Sequence, residues 1–181
     1  SLGIGAFIFF QGGNIVSAEN VDIAITAPIS INGGDVVTMD VNVINRNNVL
    51  LEAVDLIVTF PSGVADPVTT TKELKEYRKI LPDIEPGRSA EHSVQAVVYG
   101  QENTSKDINV RVEYRVKGSN AVFRKEKTYA LLLTSSPLSL QVNGPQEVYA
   151  GQEVEYAFLI TSNSRQPLKN LLLKLSYPTG F

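Results

Sequence analysis

Apolar and polar residues alternate along most of this chain with a period of two, the signature of strands buried on one face. Val21, Ile23 and Ile25 alternate with Asp22, Ala24 and Thr26. After an Asn32-Gly33-Gly34-Asp35 turn signal, Val37, Met39, Val41 and Val43 form a second apolar face opposite Thr38, Asp40 and Asn42. Asn45 to Asn48 turns the chain, and Val54, Leu56, Val58 and Phe60 form a third face, closed by Pro61-Ser62-Gly63. Residues 64–81 are less patterned: Leu74, Tyr77 and Leu81 fit a short helix, while Tyr77 to Leu81 fits a strand equally well. Beyond the Pro82 to Ser89 connection, Val94, Ala96 and Val98 alternate with Ser93, Gln95 and Val97. Ile108, Val110, Val112, Tyr114 and Val116 make the most regular strand, and Lys117 to Asn120 turns it back into a last strand over 121–134. About seven strands with turn signals every 8–12 residues predict an all-β, Ig-like antiparallel β-sandwich, because each half-buried strand must cover its apolar face with a second sheet.

The pattern then repeats at an offset of 117 residues. Val21 to Ile25 returns as Leu138 to Val142, Pro28 as Pro145, and Gly34 as Gly151. Val37, Met39, Val41 and Val43 return as Val154, Tyr156, Phe158 and Ile160; Val54, Leu56, Val58 and Phe60 return as Leu171, Leu173, Leu175 and Tyr177. No gap is needed, and side-chain parity is kept, although a one-residue slip would turn every side chain to the wrong face. The expected organisation is therefore an apolar segment and linker over 1–20, a sandwich over 21–134, and the first three strands of a second, truncated sandwich over 137–181. These three strands are expected to expose an apolar face.

The N-terminus follows a different logic. Leu2 to Phe10 is apolar and uncharged, with Leu2, Ile4, Phe7, Ile8, Phe9 and Phe10 as its large side chains, and the first charge is Glu19. As a helix these residues span about 14 Å, against the roughly 30 Å of a bilayer core. Three readings fit: the outer end of a transmembrane helix, the tail of a signal peptide with Val16-Ser17-Ala18 before the cleavage point, or a buried strand or core helix. The first two place Glu19 onward outside the cytoplasm. With no Lys or Arg flanking the segment, its orientation is not read from charge.

The connection Pro82-Asp83-Ile84-Glu85-Pro86-Gly87-Arg88-Ser89, followed by an alternating strand, resembles a turn of bacterial Ig-like surface domains. The Asn-rich segment Asn45 to Asn48 is similar to theirs as well. An apolar N-terminal segment, a Gly-Gly pair and tandem sandwich units resemble, in that order, membrane-anchored tandem Ig-like proteins of bacteria. The chain lacks the cysteines and tryptophan of antibody-type domains. The resemblance implies display, spacing or adhesion, and brings no catalytic residue with it.

Chemistry-bearing residues are sparse. The chain has no cysteine, which removes thiolate metal sites, cysteine nucleophiles and disulfides. The lone His92, on the parity of Val94, is one residue where a metal cluster or triad needs several. Glu52 with Asp55 and Asp83 with Glu85 read as solvated carboxylates, and no Asp-rich loop suggests calcium. Asn103-Thr104-Ser105 matches a glycosylation sequon, a weak signal. No phosphate-binding Gly-rich loop precedes a helix. Between Lys106 and Lys127 seven basic residues outnumber three acidic ones in a chain of net charge -3. Arg111, Arg115, Lys117 and Arg124 are the candidates for contact with an anionic surface polymer or lipid headgroups; the alternative is a soluble outer face with cross-strand ion pairs.

The sequence thus predicts a non-enzymatic, membrane-anchored extracytoplasmic stalk or interaction module, with no catalytic, metal or cofactor site. Its expected contacts are the membrane through the N-terminal segment and, beyond that, another surface protein or an anionic polymer. Neither nucleic acid nor a small-molecule substrate is expected. A secreted or filament-forming subunit whose apolar N-terminus docks into a neighbour is the alternative, and a spacer within a larger surface enzyme is another.

Overall fold

A computed structural model describes residues 20–149, 151–165 and 167–177. Among these residues the regular elements are all strands. The first unit contains β1 (Val21–Thr26), β2 (Ser30–Asn32), β3 (Val36–Asn45), β4 (Leu51–Thr59), β5 (Val64–Ala65), β6 (Glu76–Ile80), β7 (Ser89–Val98), β8 (Thr104–Val116) and β9 (Phe123–Ser135). They form two sheets, ordered β1-β3-β7-β5 and β2-β9-β8-β4-β6. The pairing is antiparallel except between β2 and β9, which run parallel.

The alternating residues face one another across the sandwich. Val37, Met39, Val41 and Val43 of β3 and Val94, Ala96 and Val98 of β7 form one buried wall. Leu56 and Val58 of β4, Ile108, Val110, Val112 and Tyr114 of β8, and Leu131 and Leu133 of β9 form the other. Each such side chain contributes about 1.5–3 kcal/mol by leaving water, which fixes the register of every central strand.

Three local features resolve or depart from a plain reading of the pattern. Residues 76–80 form strand β6, not a helix: β6 lies at the edge of the second sheet, paired with β4, and Tyr77 turns in against the core. Leu51 and Val54 both face inward although they differ in parity, because a bulge lies between Glu52 and Asp55 with Ala53 at φ 50°. The short strands β2 and β5 lie where no alternation announces them. Near one end of the sandwich, Asn45 is fully buried. Its Nδ2 donates to the carbonyls of Val49 and Ile84, each at 2.9 Å, and its Oδ1 accepts from the Asn47 N–H at 2.9 Å. Its backbone also exchanges bonds with the 82–89 connection: Asn45 N–H to Arg88 O and Gly87 N–H to Asn45 O, both at 2.9 Å. The Asn-rich turn and the Pro-Gly connection are therefore one hydrogen-bonded unit.

Beyond Pro137, β10 (Leu138–Asn143) pairs with β11 (Ala157–Ser162). All six residue pairs of this ladder, from Leu138↔Ser162 to Asn143↔Ala157, are the 117-residue images of the β1–β3 pairs from Val21↔Asn45 to Thr26↔Asp40. Two further bonds repeat: Asp35 N–H to Asn32 O becomes Gln152 N–H to Tyr149 O, both 3.1 Å, and Arg46 N–H to Asn20 O becomes Asn163 N–H to Pro137 O. Gly34 at φ 87° corresponds to Gly151 at φ 79°, and Ala53 at φ 50° to Asn170 at φ 56°. The offset thus holds in the backbone as well as in the sequence.

The expected third strand of this second set does not form: residues 171–177 are irregular. A strand exists by its ladder, and β4, their counterpart, takes its bonds from β6 and β8. Among the described residues no such neighbour stands beside 171–177. Leu140, Phe158, Ile160, Leu171, Leu173 and Leu175 are accordingly exposed, whereas Ile23, Val41, Val43, Val54, Leu56 and Val58, their counterparts, are buried.

Candidate functional site

The apolar side chains Leu2, Ile4, Phe7, Ile8, Phe9 and Phe10 lie outside the described residues. Among the described residues no helix is long and apolar enough to cross a membrane. The other predicted site residues belong to the β8–β9 hairpin. With Val110, Val112 and Tyr114 facing inward, the pleat turns Arg111 and Arg115 outward, and Arg124 of β9 joins them. Lys117 sits beyond the end of β8, in the turn that leads to β9, where its N–H donates to Leu50 O at 3.0 Å.

These cations do not stand together. In the ladders Arg111 is opposite Glu126, Arg124 opposite Glu113, and Arg115 opposite Glu52. Arg111 Nε lies 3.2 Å from Glu113 Oε1. One strand further, Arg78 Nε lies 3.3 Å from Asp55 Oδ2. Four arginines and four carboxylates thereby tile the outer face of the second sheet with alternating charge. Such pairs contribute little each, about 0–1 kcal/mol at exposed positions, but the arginine stems have a second use. Ile57 points outward from β4 in register with Arg111 and Arg78, yet it is fully buried and outside the central core cluster. The aliphatic parts of long cationic side chains cover apolar surface in this way.

His92 joins the two sheets near one margin of the sandwich. It stands on β7 in the first sheet, and Tyr77 stands on β6 in the second. Their rings stack at 5.8 Å, and Tyr77 Oη lies 2.7 Å from His92 Nε2. Desolvation, aided by the positive charge of Lys79, lowers the His92 pKa below its ordinary value. Sequence parity placed His92 on the inward side but gave no signal for its partner, which depends on how two non-adjacent strands meet. Among the described residues no group of three or more His, Asp or Glu side chains is arranged to hold a metal ion.

A cleft of about 360 Å³ opens between the first unit and the residues after Pro137. Thr70, Thr71 and Tyr99 line one side, and Leu138, Leu168 and Leu171 the other. Thr70 and Thr71 follow a tight turn in which the Asp66 carboxylate accepts the Val68 and Thr69 N–H groups, each at 2.8 Å. Those two bonds lower the Asp66 pKa. Sequence reading missed this cleft, because its two walls are far apart in the chain.

No family model matches the sequence, and no curated protein matches it. The solved structures similar to the chain include two at low identity. The native conformation of alpha-2-macroglobulin from E. coli shares 12% identity with a TM-score of 0.47, over 70% of this chain and 7% of that one. Spo0M, a sporulation control protein from Bacillus subtilis, shares 12% identity with a TM-score of 0.41, over 81% of this chain and 68% of that one.

Proposed function

We propose that this chain is a non-enzymatic spacer or interaction module built of Ig-like β-sandwich units in series, held outside the cytoplasm and tethered through the apolar segment Leu2 to Phe10. The observation that carries the reading is the duplicated backbone: six residue pairs of one strand ladder, two further backbone bonds and two left-handed residues recur at one offset. The interleaved charge lattice on the outer face of the first unit suits a spacer, since neither sign of charge is concentrated there to draw a partner. The strand order also supports the Ig-like reading. Strands β1, β3 and β7 share one sheet and β4, β8 and β9 the other, as the ABE and CFG strands do in Ig domains. The exposed loops at the sandwich ends are the places where such a module varies and binds.

Fractionation tests the tethering. The native protein should stay with membranes through carbonate extraction and enter solution with detergent, and protease added to intact cells should reach it. Release of full-length protein by carbonate alone, or protection from external protease, would overturn the proposal.

A further inference from the structure

The turn between β2 and β3 is bonded to the start of the second unit. We infer that Gly33-Gly34 is a socket that seats the following unit and fixes the angle between the two. Three chain segments meet there. The Gly33 N–H donates to Ser135 O at 2.9 Å. Ser164 Oγ donates to Gly34 O at 3.2 Å, and Asn163 Nδ2 donates to Ser136 O at 3.2 Å. The Thr134 and Ser135 hydroxyls both lie 3.1 Å from Asn32 Oδ1. The joint is thereby tied to the turn before it and to the β11 end after it.

The contact is close enough to require glycine. A Cβ at position 33 would lie 2.8 Å from Ser135 O and 2.8 Å from Pro137 Cδ. Both obstacles are stiff: one is a backbone carbonyl, the other a proline ring whose own φ is fixed. A Cβ at position 34 would lie 2.6 Å from Ser164 Oγ, and its φ of 87° disfavours a side chain independently. Gly33 therefore serves the approach, and Gly34 serves both the approach and the turn.

The counterpart turn supplies the contrast. Gly151, at φ 79°, shares the left-handed conformation of Gly34. The position matching Gly33 carries Ala150, which has the Cβ that the first socket excludes. The turn itself is thus common to both units, while the glycine at its second position belongs to the first. A unit seated on the second turn would need a different joint, so angles along the chain are set unit by unit.

Distances between spin labels test this in the whole chain. The protein has no cysteine, so Ile80→Cys on β6 and Leu159→Cys on β11, exposed by 75% and 56%, label cleanly. The expected result is one narrow distance distribution. Gly33→Val should shift or broaden it, and Ser164→Ala should broaden it while leaving both units folded by circular dichroism. Gly87→Ala is the control: its φ is 71° with nothing within 4 Å, so it is strained without touching the joint, and it should leave the distribution unchanged. A broad distribution in the parent chain, or one that neither Gly33→Val nor Ser164→Ala alters, would overturn the socket. The inference deepens the reading of units in series, and the two fail separately. A loose joint in a membrane-retained protein removes the socket alone; a fixed joint in a freely released protein removes the tether alone.

Discussion

Asn45 shows how much one side chain contributes beyond its local pattern. In the sequence it opens an Asn-rich turn, a place where polar side chains ordinarily face water. In the fold it is fully buried, and its amide closes three hydrogen bonds, two within the 45–49 turn and one to Ile84 O of the 82–89 connection. Removing the amide leaves the Ile84 and Val49 carbonyls without that donor in a place where water does not replace it. Asn45→Ala should cost about 2–4 kcal/mol. Asn45→Asp keeps the acceptor and loses both donors, so it should also destabilise. Urea unfolding followed by circular dichroism reads both; an unchanged midpoint would show that the connection stands without the side chain. His92 illustrates the same point in milder form. Its lowered pKa makes the unfolded chain the better proton binder, so its contribution is complete above the ordinary histidine pKa and is lost as pH falls through the folded value.

At the scale of elements, the bulge in β4 is the clearest departure from period two. Ala53 sits at φ 50°, exposed, in a conformation that costs an L-residue with a Cβ roughly 1–2 kcal/mol. The repeat suggests a remedy, since the same backbone position in the second set is Asn170, at φ 56°. Asparagine tolerates this region far better than alanine. Ala53→Asn should therefore stabilise the first unit by about 0.5–1 kcal/mol, and Ala53→Gly by a similar amount. A lower urea midpoint for both variants would mean that the alanine methyl makes contacts worth more than the strain. The same bulge explains why Leu51 escaped the sequence reading. It belongs to the inward set only because one extra residue is absorbed there, Ala53 and Val54 standing against the single Tyr114 of β8.

At the scale of the molecule, the described residues form one buried core and, beyond Pro137, an exposed apolar surface. Leu131 is fully buried between the sheets, while Leu140 is 53% exposed. Leu131→Ala should lower the stability of the first unit by about 2–5 kcal/mol. Leu140→Asp should leave that transition within about 0.5 kcal/mol of the parent. If Leu140→Asp instead shifted the first unit's unfolding as far as Leu131→Ala, the two sets of strands would share one cooperative core. The outer charge lattice is also a property of this scale. Seven basic residues within 22 positions of sequence look like a patch. Folding places the carboxylates of β4 and β8, and Glu126 of β9, between those cations, and turns the exposed Lys127 across to the other sheet to donate to Ile23 O at 2.9 Å.

The sequence by itself determined the all-β class, the inward set of each long strand and the 117-residue offset, because parity along a strand is a local property and any sheet that buries one face must respect it. The tertiary structure alone decided which strands became neighbours, that β2 pairs in parallel, that Tyr77 meets His92, and that 171–177 stays irregular. It also decided that the glycines of an ordinary turn receive the next unit. Each of these depends on what a second, distant segment presents in space, and a ladder, a lattice of charge or a socket has no signature in either segment read alone.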